Sequence, residues 1–207
     1  MEAPRHPLLS TLVLLAAVAV ASCNEDPIHT AAVNALGPEV AGIPKGEYHR
    51  AGQPCVTCHG SEGPASTQFT VGGTIFFGPG STDPPVGVAN VTVTLEDDSQ
   101  SQYTATTNCV GNFYIKPGDW PGHPQFPMAV TIQGQPQTAL ITQSMNSHVG
   151  RDGSCADCHQ YPTSSNYFET PGIVHLVGAD DPSYMGGLTA TGQACPVSPI
   201  PPGYGAP

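Results

Sequence analysis

The chain has 207 residues, enough for one domain or two small ones, and only 10% of them are charged. Its 24 glycines and 23 prolines favour short strands and long loops over long helices. The net charge of −11 argues against electrostatic binding to nucleic acid or anionic lipid, and is compatible with a basic protein partner.

The N-terminal residues indicate export. Arg5 and His6 precede an apolar run, LLSTLVLLAAVAVAS, that ends at Cys23. The run is short for a transmembrane helix and has the pattern of a secretory signal peptide. Residues 20–23, VASC, resemble the bacterial lipobox, in which the signal is removed before the cysteine and the cysteine is lipidated.

That resemblance implies a lipoprotein signal peptide over residues 1–22 and a lipid anchor at Cys23, on the periplasmic face of the envelope or in the outer membrane. Two acyl chains suffice for stable anchoring. The alternative is an ordinary signal peptide with a coincidental cysteine. Residues 23–48 are rich in small and polar residues and are interpreted as a tether, with a short helical turn at AAVNAL.

Residues 67–143 show period-2 alternation of apolar and polar residues. In VTVTL, Val91, Val93 and Leu95 share one face, and Thr92 and Thr94 share the other. Gly- and Pro-rich turns separate this run from similar ones: QFTVGGTIFF, QYTATT, NFYI, MAVTIQ and TALITQ. The pattern predicts an antiparallel β-sandwich, so the expected fold is mainly β.

Three motifs of this module resemble the transthyretin-like or carboxypeptidase-regulatory-like fold. They are GGTIF at 72–76, GVANVTVTLED at 87–97 and GNFYI at 111–115. The resemblance implies a fold and no particular activity. Loop-rich, short-helix segments flank the module, over residues 49–66 and over residues 144–207, which end in a Pro-rich tail.

Each flanking segment contains a C-x-x-C-H motif, CVTCH at 55–59 and CADCH at 155–159. Two thiols at this spacing reach the two vinyl groups of haem, and the adjacent imidazole ligates the iron. A zinc site or a thioredoxin-like thiol pair is the alternative. The motifs predict two covalent c-type haems, bound by Cys55, Cys58 and His59 and by Cys155, Cys158 and His159.

Each iron then needs a sixth ligand, and two upstream histidines have matching positions. His49 lies six residues before Cys55, and His148 lies seven before Cys155. The two segments resemble those of small multihaem cytochromes, where such histidines often serve as distal ligands. His49 and His148 are therefore the predicted distal ligands, unless they are exposed loop histidines.

Other residues compete for the same roles. His175, in a local apolar run, is the alternative distal ligand for the second haem, and Met145 is a weaker one. Arg50 and Arg151, each close to an upstream histidine, are candidates to pair with haem propionates.

Two cysteines remain, Cys109 and Cys195. In an oxidising compartment they favour a disulfide, and two free thiols are the alternative.

These features together predict a di-haem c-type cytochrome that transfers electrons in the bacterial cell envelope. Its partners would be redox proteins or other cytochromes, with the membrane contacted through the lipid anchor and no nucleic acid bound. It is expected not to be an enzyme. The rival hypotheses are a di-haem peroxidase or reductase, and a structural or adhesion β-module that contains haem.

Overall fold

A computed structural model describes residues 26–39, 43, 45–78, 86–122, 124–135, 139–160 and 171–178. The chain divides into two compact units, Met1–Gly37 and Pro38–Pro207. The predicted signal peptide, the lipidation site Cys23, the predicted disulfide partner Cys195 and the Pro-rich tail lie outside the described residues. Within the described ranges, no helix has the length and apolar character needed to cross a membrane.

The first unit contains helix α1, Pro27–Ala35. Asp26 caps it, because its side-chain oxygen accepts a hydrogen bond from the Ile28 amide at 2.9 Å. Pro27 occupies the first helical position, where its missing N–H costs nothing. The helix is therefore longer than the short turn that the sequence predicts, since cap and proline together begin it four residues before AAVNAL.

The second unit is mainly β, as predicted. Every predicted strand run contains a strand, and all strand pairs are antiparallel. The strands form a two-stranded sheet, β1–β4, and a four-stranded sheet in the order β3–β2–β5–β6. Their bounds are β1 Val71–Thr74, β2 Thr92–Glu96, β3 Gln102–Thr106, β4 Asn112–Ile115, β5 Ala129–Gly134 and β6 Ile141–Ser144.

The alternation predicted for VTVTL is confirmed. Val91, Val93 and Leu95 are fully buried, and the threonines between them are half-buried. These side chains share one core cluster with residues of the other sheet, among them Val71 and Ile115. Burial of each such side chain contributes about 1.5–3 kcal/mol, so this shared core is what holds the two sheets in one unit.

Strand β1 and its extension to Phe77 also position the second C-x-x-C-H segment. The Gly72 amide donates to the Gly153 carbonyl at 2.9 Å, two residues before Cys155. The Phe76 amide donates to the Val174 carbonyl at 2.9 Å, and the Phe76 carbonyl accepts from the Leu176 amide at 2.9 Å. Cys155 and His175 are thus aligned along the same strand.

Candidate functional site

The first motif forms a short helix, α2, Cys55–His59. His59 Nδ1 lies 2.7 Å from the Thr67 carbonyl oxygen. Because a carbonyl only accepts, Nδ1 carries a proton, and in the neutral ring the lone pair is therefore on Nε2. The imidazole also stacks on Phe69, with ring centroids 4.1 Å apart and planes 11° from parallel. The ring is held in the tautomer that leaves Nε2 available to a metal.

His49, the predicted distal ligand, lies beside this ring. The His49 and His59 ring centroids are 5.8 Å apart, with planes inclined by 64°. Burial lowers the pKa of His49 below its ordinary value, and the positive charge of a protonated His59 adds to this, while Glu39 opposes it. A neutral imidazole is the form that ligates iron, so the environment of His49 suits that role.

Polar contacts from the buried residues Thr74 and Asn112 fix the His49 segment against the β-module. The Asn112 side-chain amide donates to the His49 carbonyl at 3.0 Å. The Thr74 hydroxyl donates to the Asn112 side-chain oxygen at 2.8 Å and accepts from the Gly52 amide at 2.7 Å. Sequence analysis missed Thr74 and Asn112, because both read as ordinary strand residues far from either motif.

The second motif begins a 3₁₀ turn, Cys155–Asp157. Its histidine repeats the arrangement of the first, because His159 Nδ1 lies 2.7 Å from the Gly172 carbonyl oxygen. Nδ1 is therefore protonated here too, and Nε2 keeps its lone pair. The two motifs differ in backbone conformation but agree in how the imidazole is held.

A cavity of about 690 Å³ adjoins the second motif, within the range typical of cofactor sites. Its walls are largely apolar, with Ile75, Phe113 and Ile132 among them. The residues proposed from the sequence to serve the second haem converge on it: Cys155, Cys158, His159, His148, His175 and Met145.

His148 and His175 differ within that cavity. His175 is half-buried, and its Nδ1 lies 3.0 Å from the Val177 carbonyl oxygen, so Nε2 again keeps the lone pair. Burial lowers the pKa of His175, which keeps the imidazole neutral. His148 is exposed. The structure brings both candidates to the cavity, and His175 has the more restrained imidazole.

The two motifs meet β1 at neighbouring glycines. A Cβ on Gly72 would lie 3.1 Å from Cys55 Cβ, and a Cβ on Gly73 would lie 2.7 Å from Cys155 Sγ. Adjacent residues of a strand face opposite sides, so Cys55 and Cys155 approach β1 from opposite faces, although they remain close enough for Cys55 to contribute to the raised pKa of Cys155. This division suits two separate attachment sites, whereas one tetrahedral zinc site would need the four thiols gathered together.

The thiol environment also bears on the chemistry. Burial raises the pKa of Cys55 and of Cys155 to about 12 each, so both thiols are neutral at pH 7. A reactive thiol pair needs a thiolate, whose charge is costly to bury. A thioether is neutral, so its burial carries no such desolvation cost. In the described part of the chain, no group of three or more His, Cys, Asp or Glu side chains is gathered to hold a metal ion.

The remaining predicted site residues have varied surroundings. Arg50 donates to Glu39 at 3.0 Å and to Gln53 at 2.6 Å, and Arg151 is exposed. Cys109 is disulfide-bonded, while the four motif cysteines are free thiols. The pairing of Cys109 with Cys195 stays a prediction, because Cys195 is outside the described residues.

Comparison with protein-family models, with characterised proteins and with solved structures finds no match to this chain.

Proposed function

We propose that this chain is a di-haem c-type cytochrome that carries electrons in the bacterial cell envelope, built on a transthyretin-like β-sandwich. One observation carries the proposal. Both motif histidines commit Nδ1 to a backbone carbonyl at 2.7 Å and so keep Nε2 for a metal. C-x-x-C-H motifs place that nitrogen beside two cysteines at the spacing of haem attachment.

The first site would be formed by α2 and the segment before it. Cys55 and Cys58 would form the thioether bonds, and His59 would be the proximal ligand. His49, whose ring is a direct neighbour of His59, would be the distal ligand.

The second site would lie in the cavity beside β1. Cys155 and Cys158 would form the thioether bonds, with His159 as the proximal ligand. His175 is the distal ligand we favour, because its ring is half-buried with Nδ1 held by the Val177 carbonyl. His148, exposed at the same cavity, is the alternative.

When bound, each haem iron gains and loses a single electron. The contribution of the chain would be to supply two imidazoles per site, of which His59, His159 and His175 are held in one tautomer, and to keep water from the second site with apolar walls such as Ile75 and Phe113. Two protein ligands at each site would leave no position for a substrate. That ligand set favours an electron carrier over an enzyme.

The rival hypothesis, a di-haem peroxidase or reductase, needs an acid–base group beside an open iron position. Burial raises the pKa of Asp157 to about 7, and Asp152 adds to the effect. Asp157 is not among the residues that line the cavity, however, whereas its neighbours Cys155 and Cys158 are. Asp152, which hydrogen-bonds Asp157, does line the cavity, so this carboxyl pair is the acid–base candidate that the rival hypothesis would use. The ligand set described above is what favours the electron carrier.

The envelope location and the partners rest on the sequence. Cys23 would carry the lipid anchor, and the net charge of −11 would favour a redox partner with a basic surface, such as another cytochrome. We expect Cys23→Ala to move the protein from the membrane fraction to the soluble fraction. Unchanged membrane attachment and lipid labelling of that variant would contradict the anchor.

Haem counting tests the proposal directly. The chain is produced in a host competent for cytochrome maturation, and haem per protein is measured by pyridine haemochrome and by intact mass. We expect two covalent haems in the wild type and one in each of the variants Cys58→Ala and Cys158→Ala. The control Thr57→Ala, which alters a variable motif position, should keep two. A wild-type mass without porphyrin would disprove the proposal.

A further inference from the structure

Glu39 lies beside His49 Nδ1, the ring nitrogen that would not bind the iron. Glu39 Oε1 is 3.6 Å from His49 Nδ1 and accepts a hydrogen bond from Arg50 Nε at 3.0 Å. The Glu39 and His49 side chains are only 27% and 24% exposed. A carboxylate charge this close to a half-buried imidazole is weakly screened by solvent.

Two atoms of this pair are buried and lack a hydrogen-bond partner: Glu39 Oε2 and His49 Nδ1. An imidazole N–H that donates to a carboxylate would satisfy both, after a small rotation of either side chain. His49 would then have Nδ1 protonated and Nε2 available, the tautomer that His59, His159 and His175 already show.

The partner of Nδ1 separates His49 from the other three imidazoles. His59, His159 and His175 face neutral backbone carbonyls, whereas His49 faces a carboxylate. A carboxylate partner raises the basicity of a histidine ligand and stabilises the more positive metal state more than a carbonyl does. Arg50, which donates to the same oxygen Oε1, offsets part of this charge, whereas Glu39 Oε2 has no such partner.

We propose that Glu39 is a positioning residue for His49 that holds the first haem site at a lower midpoint potential than the second. The inference rests on the proposed function and on His49 as a ligand. An electron shared by the two sites would then reside mainly on the second. Glu39 would thus favour electron transfer from the first site to the second.

The test is a potentiometric titration of the full-length, haem-loaded protein, followed by its optical spectrum. We expect two midpoints in the wild type and an upward shift of the lower one in Glu39→Gln. Glu39→Asp keeps the charge and should restore a value closer to wild type. Glu62→Gln, which removes an exposed charge three residues after His59, is the matched control and should shift the midpoint less.

To assign the shift, Glu39→Gln is repeated in a chain whose Cys155, Cys158 and His159 are all Ala, which keeps the first site alone. The single remaining midpoint should again rise. An unchanged lower midpoint, a shift confined to the upper one, or an equal shift in Glu62→Gln would overturn the role of Glu39. Absence of haem from the wild type would instead overturn the proposed function, so the two failures are distinguishable.

Discussion

Gly73 of β1 and Cys155 of the second motif are in such close contact that only a glycine fits: a Cβ on Gly73 would lie 2.7 Å from Cys155 Sγ and 2.8 Å from Cys155 Cβ. Real Cβ atoms do not approach other heavy atoms this closely, so a larger residue must displace either the strand or the cysteine. The Gly72–Gly73 pair thus lets both motifs lie directly against one strand.

We expect Gly73→Ala to lower the free energy of unfolding by about 1–3 kcal/mol. Gly72→Ala should cost less, because its nearest contact, Cys55 Cβ, would be 3.1 Å away. Gly118→Ala is the control, since nothing lies within 4 Å of its added Cβ. Urea unfolding measures all three. Equal stability of Gly73→Ala and Gly118→Ala would show that the strand and the motif are not packed as described.

The second prediction concerns Asn112, whose hydrogen bonds stabilise the His49 segment of the first site. Its side-chain amide is the donor to the His49 carbonyl at 3.0 Å, and Asn112 is buried. Asn112→Ala leaves that carbonyl and the Thr74 hydroxyl without this partner, at a cost of about 1–3 kcal/mol. If His49 ligates the first haem as proposed, we also expect the spectrum of that haem to broaden in the haem-loaded protein. The control Asn34→Ala, on an exposed helix position, should do neither.

The strands could be predicted because their signal is local. Apolar and polar residues alternate in VTVTL and in the similar runs wherever one face of a strand is buried. Val91, Val93 and Leu95 are indeed buried. The signal of each C-x-x-C-H motif is equally local, since its two cysteines and histidine lie within five positions, and the role of these residues in haem binding stays a prediction.

The rest of the site depends on long-range contacts that no local pattern encodes. Gly73 contacts Cys155, and Asn112 contacts His49, across 82 and 63 positions of the chain. The matching sequence positions of His49 and His148 do not extend to burial, since His49 is half-buried and His148 is exposed. Spacing along the chain cannot show which imidazole the fold will restrain.

Asp97 predicts how stability depends on acid pH. The hydrogen bonds from Ser99, followed by those from Gln125 and Ser101, lower the pKa of this carboxyl below its ordinary 3.8, although burial opposes them. On acidification the unfolded chain therefore takes up this proton before the folded chain does. The stabilisation is fully present above the ordinary pKa and is lost as pH falls through the lower, folded value.

We expect Asp97→Asn to lower stability at pH 7 and to flatten the decline of stability below about pH 4. Asp98→Asn, an exposed neighbour, serves as the control and should keep the wild-type slope. Thermal unfolding from pH 2 to pH 7 measures both. If stability declined equally steeply with falling pH in both variants, Asp97 would not be the cause of the acid destabilisation.

If the second haem binds as proposed, its distal ligand can be decided by comparing two histidines of one cavity. His175 is half-buried and its Nδ1 faces the Val177 carbonyl at 3.0 Å, whereas His148 is exposed. A ligand held in place in advance loses less side-chain freedom when it binds, so His175 should outcompete His148. We expect His175→Ala to turn one of two ferric haems high-spin and His148→Ala to leave both low-spin. Visible and electron paramagnetic resonance spectra distinguish the states, and the opposite pattern would make His148 the ligand, as the spacing of the motif segments predicts.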